Sequence, residues 1–279
     1  YALCCSGCTG PLWVDMVRVN ASIESDLQFE LPYGVTTPAL YAQWAQRYMY
    51  EFDVKPEDLA IIAVENRNWA LHHPDAAMKD KGPITVEDVL ESKMLASPIR
   101  MLDSSTWYRG GIGFAVVITR ANNARPEQKP VYITGFGAAT THEWLTDRMH
   151  LSGVEPAMTP NLTTTGAKPA ADYAYEMAGL KPSDIDIVET SVPFTFANMM
   201  ALEDLGFCKK GHGKYFVREG GINFDGGLPF NTNGGYLSFG QPPHGMHMAI
   251  EAIEQLRGEA RGRQVVNAKR ALAHFHGGP

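Results

Sequence analysis

The feature that most constrains this chain is a segment with almost no side-chain bulk, Asn231–Gly245, which reads NTNGGYLSFGQPPHG. Two adjacent glycines, Gly234 and Gly235, are followed by a Gly-Gln-Pro turn. Such a segment lets backbone approach a ligand closely and exposes N–H groups to it. By composition alone it is equally well an ordinary glycine- and proline-containing loop, so both interpretations stay open at this point. We call this segment the glycine bend.

Strands and helices alternate along the rest of the chain, which predicts an α/β fold with a mostly parallel sheet. Gly111–Thr119 is a continuous apolar run, typical of a strand buried on both faces. The other predicted strands are Val131–Phe136, Ile185–Glu189 and Arg270–His274. The predicted helices start near Thr37, Pro56, Thr85 and Pro169, cover Phe194–Leu205, and follow the glycine bend from Met246 to Leu256.

Composition excludes several classes of function. A net charge of −7 argues against a nucleic-acid partner, because phosphate binding needs concentrated basic surface. No apolar run is long enough to predict a membrane span. The cysteines do not form a disulfide framework, which favours a reducing, cytoplasmic setting. The spacing Cys5-x-x-Cys8 lacks the further ligands that zinc requires, so no metal site is predicted.

Several blocks, in this order, resemble the thiolase superfamily in its lipid-transfer (sterol-carrier-type) branch. The likeness begins near Tyr33 and covers nearly all of the chain that follows. The glycine bend resembles the NxxGG…GHPxG loop of that family, with Gln241 in place of the histidine. The remaining blocks are Ile84–Ser105, Ala178–Thr190, Asn198–Gly211, Gln255–Val265 and Ala271–Gly278.

The resemblance implies a fold of two similar βαβαβαββ halves, in which five-stranded mixed sheets sandwich helices and a loop domain covers coenzyme A. Residues 1–120 would then be the end of the N-terminal half with its helical loop domain. Residues 121–279 would be the C-terminal half. The chain would be truncated at both ends, with an incomplete N-terminal half that lacks the turn carrying the nucleophilic cysteine.

In that family a cysteine is acylated by a CoA thioester and is activated by the GHP histidine, while a second histidine helps to hold the thioester oxygen. Gln241 replaces the first histidine and Ser191 the second. Neither side chain is a base, but both can donate a hydrogen bond to an oxyanion. A related branch that performs retro-aldol cleavage has tyrosines at these positions. A standard cysteine–histidine cycle is therefore not expected here.

Other residues then have to move protons. His244 lies in the same turn as Gln241, and His276 lies in the C-terminal loop; their alternatives are a solvent-facing and a strand-end histidine. Tyr236 is a possible substitute for a missing tyrosine, or a packed loop aromatic. By the resemblance, the N–H group of Gly277 forms half of an oxyanion hole. The backbone positions expected to polarise the carbonyl with it are Asn231, Gly234 and Gly235.

The sequence thus predicts an enzyme, a thiolase-type acyltransferase or an aldolase, that makes or breaks a carbon–carbon bond next to a CoA thioester in lipid or steroid-type metabolism. Coenzyme A would be a co-substrate, with no covalently bound cofactor. The apolar acyl group would lie under the helices that carry Trp44, Tyr48 and Trp69. The alternative is an impaired acyl-CoA-binding or scaffold subunit. A homodimer or a complex with an acyl-CoA-binding partner protein is expected.

Overall fold

The computed structural model of the protein describes residues 1–9, 25–107, 111–141, 162–241 and 245–278. Helices and strands are mixed along the chain, as predicted. The strands are β1 (Ala2–Thr9), β2 (Met94–Ala96), β3 (Ile99–Arg100), β4 (Gly111–Ile118), β5 (Ile187–Ser191) and β6 (Ala271–Phe275). The α-helices are α1 (Thr37–Phe52), α2 (Pro56–Ala70), α3 (Val86–Glu91), α4 (Ala167–Ala178), α5 (Thr195–Asp204), α6 (Gly213–Arg218), α7 (Gly235–Ser238) and α8 (Met246–Arg257).

Local chemistry explains where the first helices begin and end. Helix α1 has a proline in its first turn, where the missing N–H costs nothing, and ends at Asp53 in the left-handed conformation. Helix α3 starts with a capping box: the Thr85 hydroxyl accepts from the Asp88 N–H at 3.2 Å, and the Asp88 carboxylate accepts from the Thr85 N–H at 2.8 Å. These starts agree with the sequence prediction to within one residue.

One apolar core joins helices from both sides of residue 120. Trp44 and Tyr48 of α1, Ile62 of α2, and Phe196 and Met199 of α5 are all buried in it. Each such side chain contributes roughly 1.5–3 kcal/mol on burial. The shared core positions α1 against the C-terminal part of the chain. The division into two domains at residue 120 stays a prediction.

Strands β5 and β6 are parallel neighbours, in register from Ile187 opposite Ala271 to Ser191 opposite Phe275. On its other side β5 forms a bridge between Val188 and Phe230, next to the glycine bend. The strand predictions for these two regions are confirmed, with shifts of one or two residues. Because the strands are parallel, their carboxyl ends lie at the same edge of the sheet.

The prediction that Gly111–Thr119 is buried on both faces is wrong. The strand exists as β4, but it pairs antiparallel with β1. Val117 and Leu3, which face each other in this pair, are both 67% exposed. A two-stranded antiparallel pair can pack one face and leave the other open, as here. Where five-stranded sheets were expected, the described residues form three sheets of two strands each.

The strand predicted at Val131–Phe136 is also wrong, because this segment has no regular secondary structure. Its composition suits a strand, but no neighbour among the described residues pairs with it in a ladder. Ile133 is 73% exposed and Phe136 is 67% exposed. Gly135 instead packs so closely on α4 that an added Cβ would overlap the carbonyl oxygen of Ala174.

Candidate functional site

The carboxyl ends of β5 and β6 bring two predicted site residues together. Ser191 is the last residue of β5 and is buried. His276 directly follows β6, and its backbone N–H donates to the Ser191 Oγ at 3.1 Å. Since that contact uses the serine oxygen as an acceptor, the hydroxyl proton of Ser191 can be donated to another group. In α/β proteins with an open parallel sheet, ligands usually bind beyond the carboxyl ends of the strands.

The far end of the glycine bend rests on Ser191. Gly245 has φ +65°, and a Cβ added to it would lie 2.8 Å from the Ser191 Cβ and 3.0 Å from the Phe275 Cδ1. Only glycine combines this left-handed conformation with so close an approach. The bend therefore closes over Ser191. His244 lies outside the described residues.

Tyr236 of the bend lies on the same side. Burial raises the pKa of Tyr236 to about 12, although hydrogen bonding to Ser191 and to the backbone of Gly245 opposes that rise. The side chain therefore keeps its hydroxyl proton at neutral pH, next to Ser191. Its ring stacks on the His247 ring with centroids 5.3 Å apart. Burial lowers the pKa of His247 to about 3, so that imidazole is uncharged.

The His276 side chain is held by helix α1. Its Nε2 lies 2.9 Å from the Tyr41 hydroxyl, and its ring stacks on Trp44 with centroids 5.8 Å apart. His276, Gly277 and Trp44 line a cavity of about 710 Å³. Small side chains of α4 form its opposite wall; these are Ala170, Ala171, Ala174 and Ala178.

Of the three aromatic residues on the helices predicted to cover the acyl group, Trp44 lines this cavity. Tyr48 donates to Glu203 at 2.7 Å in the core, and Trp69 packs on Phe224. The position of the acyl group under these helices stays a prediction. Hydrophobic periodicity placed all three on buried helix faces, and it does not tell a cavity wall from a core position.

Gln241, at the position of the family histidine, is joined to the segment before β4. Its Oε1 accepts from the Ser105 hydroxyl at 2.7 Å, and its backbone N–H donates to the Thr106 carbonyl at 2.6 Å. The carbonyl side of the amide is thus used within the protein. Its NH₂ group is the part that can act as a donor to an oxyanion.

The beginning of the glycine bend is tied to β5. Asn231 donates its backbone N–H to the Val188 carbonyl at 2.8 Å, and its Oδ1 accepts from the Thr190 N–H at 2.7 Å. The Gly234 N–H donates to the Asn231 carbonyl, and the Gly235 N–H donates to an Asn233 side chain. All three N–H groups thus bond within the protein in this structure. The predicted contact of these positions with a ligand carbonyl stays a prediction.

A buried polar cluster forms hydrogen bonds to Thr232, near the beginning of the bend. Thr232 donates its backbone N–H to the Glu189 Oε1 at 3.0 Å, and its hydroxyl lies 2.7 Å from the Glu251 Oε1. The Arg263 guanidinium donates to the Glu251 Oε2 at 2.6 Å. Burial, and then the charge of Glu251, raises the pKa of Glu189 well above its usual value. We call Glu189, Thr232, Glu251 and Arg263 the carboxylate brace.

Three potential metal ligands lie beside the brace: among the described residues, His73, Glu251 and Glu254 come close enough to share an ion. The Arg263 guanidinium donates to both carboxylates, however, so the cation next to them is already part of the protein. Burial, and then the charge of Arg263, lowers the pKa of His73 to about 4. The cluster is therefore better explained as an internal ion pair than as a metal centre.

Sequence reasoning missed Tyr41 and the carboxylate brace. Tyr41 lies on the same buried face of α1 as Trp44 and Tyr48, and no local pattern distinguishes it from core residues. Glu189 falls in a predicted strand, where a carboxylate is usually expected on the exposed face. Only the register of β5 against the bend reveals that it is buried.

A family profile described as "Thiolase C-terminal domain-like" matches residues 151–279. The chain is 37% identical over 257 residues to an acetyl-CoA acetyltransferase of Methanothermobacter thermautotrophicus, covering 91% of this chain and 63% of that protein. It is 34% identical over 239 residues to the 17-hydroxy-3-oxo-4-pregnene-20-carboxyl-CoA lyase of Mycobacterium tuberculosis, covering 84% of this chain and 58% of that protein.

The solved structure of the "Ltp2-ChsH2(DUF35) aldolase" superimposes with a TM-score of 0.76 and 28% identity, covering 98% of this chain and 69% of that chain. The chain spans about three fifths of the length of the curated relatives that it matches. Within the ranges that the structure describes, no helix is both long and apolar enough to cross a membrane.

Proposed function

The chain belongs to the thiolase superfamily and has a thiolase-like fold, and on this premise we propose that it makes or breaks a carbon–carbon bond next to a coenzyme A thioester. The observation that carries the proposal is the closure of the glycine bend on Ser191, beside His276. Three elements that are far apart in sequence meet there: the bend, the end of β5 and the loop after β6.

In the proposed site the Ser191 hydroxyl and the Gly277 N–H polarise the thioester carbonyl, with the Gln241 amide as a further donor. Donors of this kind stabilise the negative charge that develops on the oxygen. His276, or His244, accepts and returns the proton. Coenzyme A enters as part of the substrate, and no covalently bound cofactor takes part.

Retro-aldol cleavage is the version of this chemistry that suits these residues best. A base removes the proton from a β-hydroxyl group, Cβ becomes the carbonyl carbon of a released ketone or aldehyde, and the Cα–Cβ bond breaks with its electron pair forming an enolate on the thioester. The enolate then takes up a proton at Cα. Thiolysis needs in addition a thiol activated by a base, and Gln241, where the resemblance places the activating histidine, is not a base. The names of the lyase and aldolase relatives agree with this choice.

The proposal is tested on the complete protein with β-hydroxyacyl- and β-ketoacyl-CoA substrates, the shortened CoA thioester being detected by mass spectrometry. Ser191→Ala and His276→Ala should each reduce turnover by roughly 100-fold or more. His72→Ala, at an exposed histidine, is the matched control and should leave turnover unchanged. Full activity in both site variants would contradict the proposal.

A second candidate function is an acyl-CoA-binding subunit without chemistry of its own. The observation that favours it is the bonding of Gln241, whose Oε1 is engaged by Ser105. The name of the related aldolase structure, Ltp2-ChsH2(DUF35), also joins two proteins in one assembly. CoA-thioester binding without turnover, in a stable complex with a second protein, would favour the subunit.

For the enzyme we propose a homodimer in the cytoplasm. Analytical sedimentation of the complete protein tests the homodimer.

A further inference from the structure

The His276 imidazole is held on two sides by helix α1. Its Nε2 lies 2.9 Å from the Tyr41 hydroxyl, and the two ring centroids are 5.9 Å apart. The Trp44 ring stacks on the imidazole at an interplanar angle of 25°. At the backbone, the His276 N–H is fixed by the Ser191 Oγ. The ring is therefore restrained by two contacts and the backbone of His276 by a third.

Tyr41 is itself immobilised. It is only 2% exposed, and its ring centroid lies 4.6 Å from that of Phe194 and 6.2 Å from that of Phe196. Phe194 directly precedes α5, so the contact links α1 to the segment that follows Ser191. A phenol packed in this way presents its hydroxyl at a fixed point.

The two nitrogens of a neutral imidazole differ, since one donates and the other accepts a hydrogen bond. A phenol hydroxyl can accept a hydrogen bond from a protonated Nε2 or donate one to an unprotonated Nε2, so its fixed position sets the orientation of the ring in either tautomer. We propose that Tyr41 is the positioning residue of His276, holding its ring in one orientation at the site. The catalytic consequence of this inference depends on the proposed function, but the orientation of the ring does not.

The matched control lies on the same helix. Tyr48 is also a buried tyrosine of α1, and its hydroxyl donates to the Glu203 carboxylate at 2.7 Å. No contact between Tyr48 and His276 is found among the described residues. Tyr48→Phe thus removes one buried phenol hydroxyl and its hydrogen bond, as Tyr41→Phe does, without changing the surroundings of the histidine.

The first experiment is ¹⁵N NMR of the histidine rings in the complete protein, with the His276 signals assigned from a His276→Gln variant. The native protein should show one set of His276 ring signals. Tyr41→Phe should shift the Nε2 signal because this nitrogen loses its hydrogen-bond partner, whereas Tyr48→Phe should leave both His276 signals in place. Unchanged His276 signals in Tyr41→Phe would overturn the inference.

The second experiment separates kcat from KM. Tyr41→Phe should lower kcat on the order of 10- to 100-fold with little change in KM, because a displaced base harms the reaction more than binding. Tyr48→Phe should keep the native kcat. A kcat unchanged by Tyr41→Phe, despite a shifted Nε2 signal, would overturn the positioning role.

The inference can still be tested if Tyr41→Phe does not fold or if the complete protein is inactive. If Tyr41→Phe does not fold, Trp44→Phe weakens the stacking on His276 instead and should broaden or shift the same NMR signals. If the complete protein turns over no CoA thioester, the proposed function fails, and the NMR result still decides whether Tyr41 holds the His276 ring.

Discussion

Glu189 and Ser191 lie on the same face of one strand, two residues apart, and have opposite surroundings. Glu189 is buried in the carboxylate brace, where its Oε1 accepts from Thr232, and Glu251 contacts Thr232 and Arg263. Ser191 lies at the strand end, where its oxygen accepts from the His276 N–H and Gly245 packs directly against it. The polar groups of the carboxylate brace stabilise the bend. Ser191, by contrast, has a hydroxyl proton that can be donated to a ligand.

The carboxylate brace is therefore structural, whereas Ser191 belongs to the candidate site. The glycine bend joins both regions: Thr232 lies at the end held by the brace, and Gly245 lies at the end next to Ser191, which we call the open end. Its beginning is fixed by the hydrogen bonds of Thr232 to the buried carboxylates of Glu189 and Glu251. Its end is fixed by close packing on Ser191. Changes in the brace should therefore mainly alter stability, whereas changes at the open end should alter activity.

The largest expected effect is on the brace. Arg263→Ala leaves the Glu251 carboxylate buried without its cation, which should lower the free energy of unfolding by about 3–5 kcal/mol. Lys168→Ala, which breaks an exposed pair with Asp172, is the control and should cost less than about 0.5 kcal/mol. Urea denaturation measures both. Equal effects of the two variants would mean that the brace does not stabilise the bend.

The open end is tested by adding one methyl group. Gly245→Ala forces a left-handed alanine against Ser191, so we expect a loss of about 2–4 kcal/mol together with a loss of turnover. Gly258→Ala is the control: its φ is +73°, but nothing lies within 4 Å of the added Cβ. It should cost about 1 kcal/mol from backbone strain alone and keep full activity. Identical behaviour of the two variants would refute the close contact with Ser191.

The brace region should also make stability depend on pH. The pKa of His73 falls from its ordinary value of 6.5 to about 4 on folding, so below pH 6.5 the unfolded chain binds more protons than the folded one. Stability should therefore decrease as the pH falls from 6.5 towards 4, by roughly 2 kcal/mol at pH 5 from this group.

His73→Asn keeps an acceptor for the Asp75 N–H and should remove that part of the pH dependence. The exposed His72 offers the control, His72→Asn, which should behave as the native protein does. The check is the difference in unfolding free energy between pH 7 and pH 5. A native-like difference in His73→Asn would contradict the assignment.

The smallest expected effect concerns Glu189. Because its pKa is raised on folding, the folded state binds the extra proton, and stability is lost as the pH rises above the ordinary carboxyl value of 4.5. Glu189→Gln removes this titration while keeping an acceptor for Thr232. It should stabilise the protein at pH 8 and much less at pH 5. Destabilisation at both pH values would contradict a protonated Glu189.

Much of this organisation could be predicted from sequence. Pro38 and the Thr85–Asp88 capping box mark helix starts, because caps are short-range and leave a direct signature. The glycine bend was recognised, since few residues other than glycine adopt its backbone. The meeting of Ser191 and His276 followed from a family resemblance, because parallel register cannot be derived from either segment alone.

Other features could not be predicted for physical reasons. Val131–Phe136 has strand composition but no ladder partner among the described residues, and pairing is a property of two segments. Glu189 looks like an exposed strand residue until Arg263, far along the chain, is placed near it. Tyr41 differs from its helical neighbours only by what its hydroxyl meets, and that depends on the position of the segment after β6.

The most direct test is a crystal structure of the complete protein with an unreactive oxygen-ester analogue of a CoA thioester. We expect the carbonyl oxygen of the analogue to lie within hydrogen-bonding distance of the Ser191 Oγ or the Gly277 N–H, with the reacting carbon near His276. An analogue bound elsewhere, with Ser191 and His276 remote from its carbonyl group, would contradict the account.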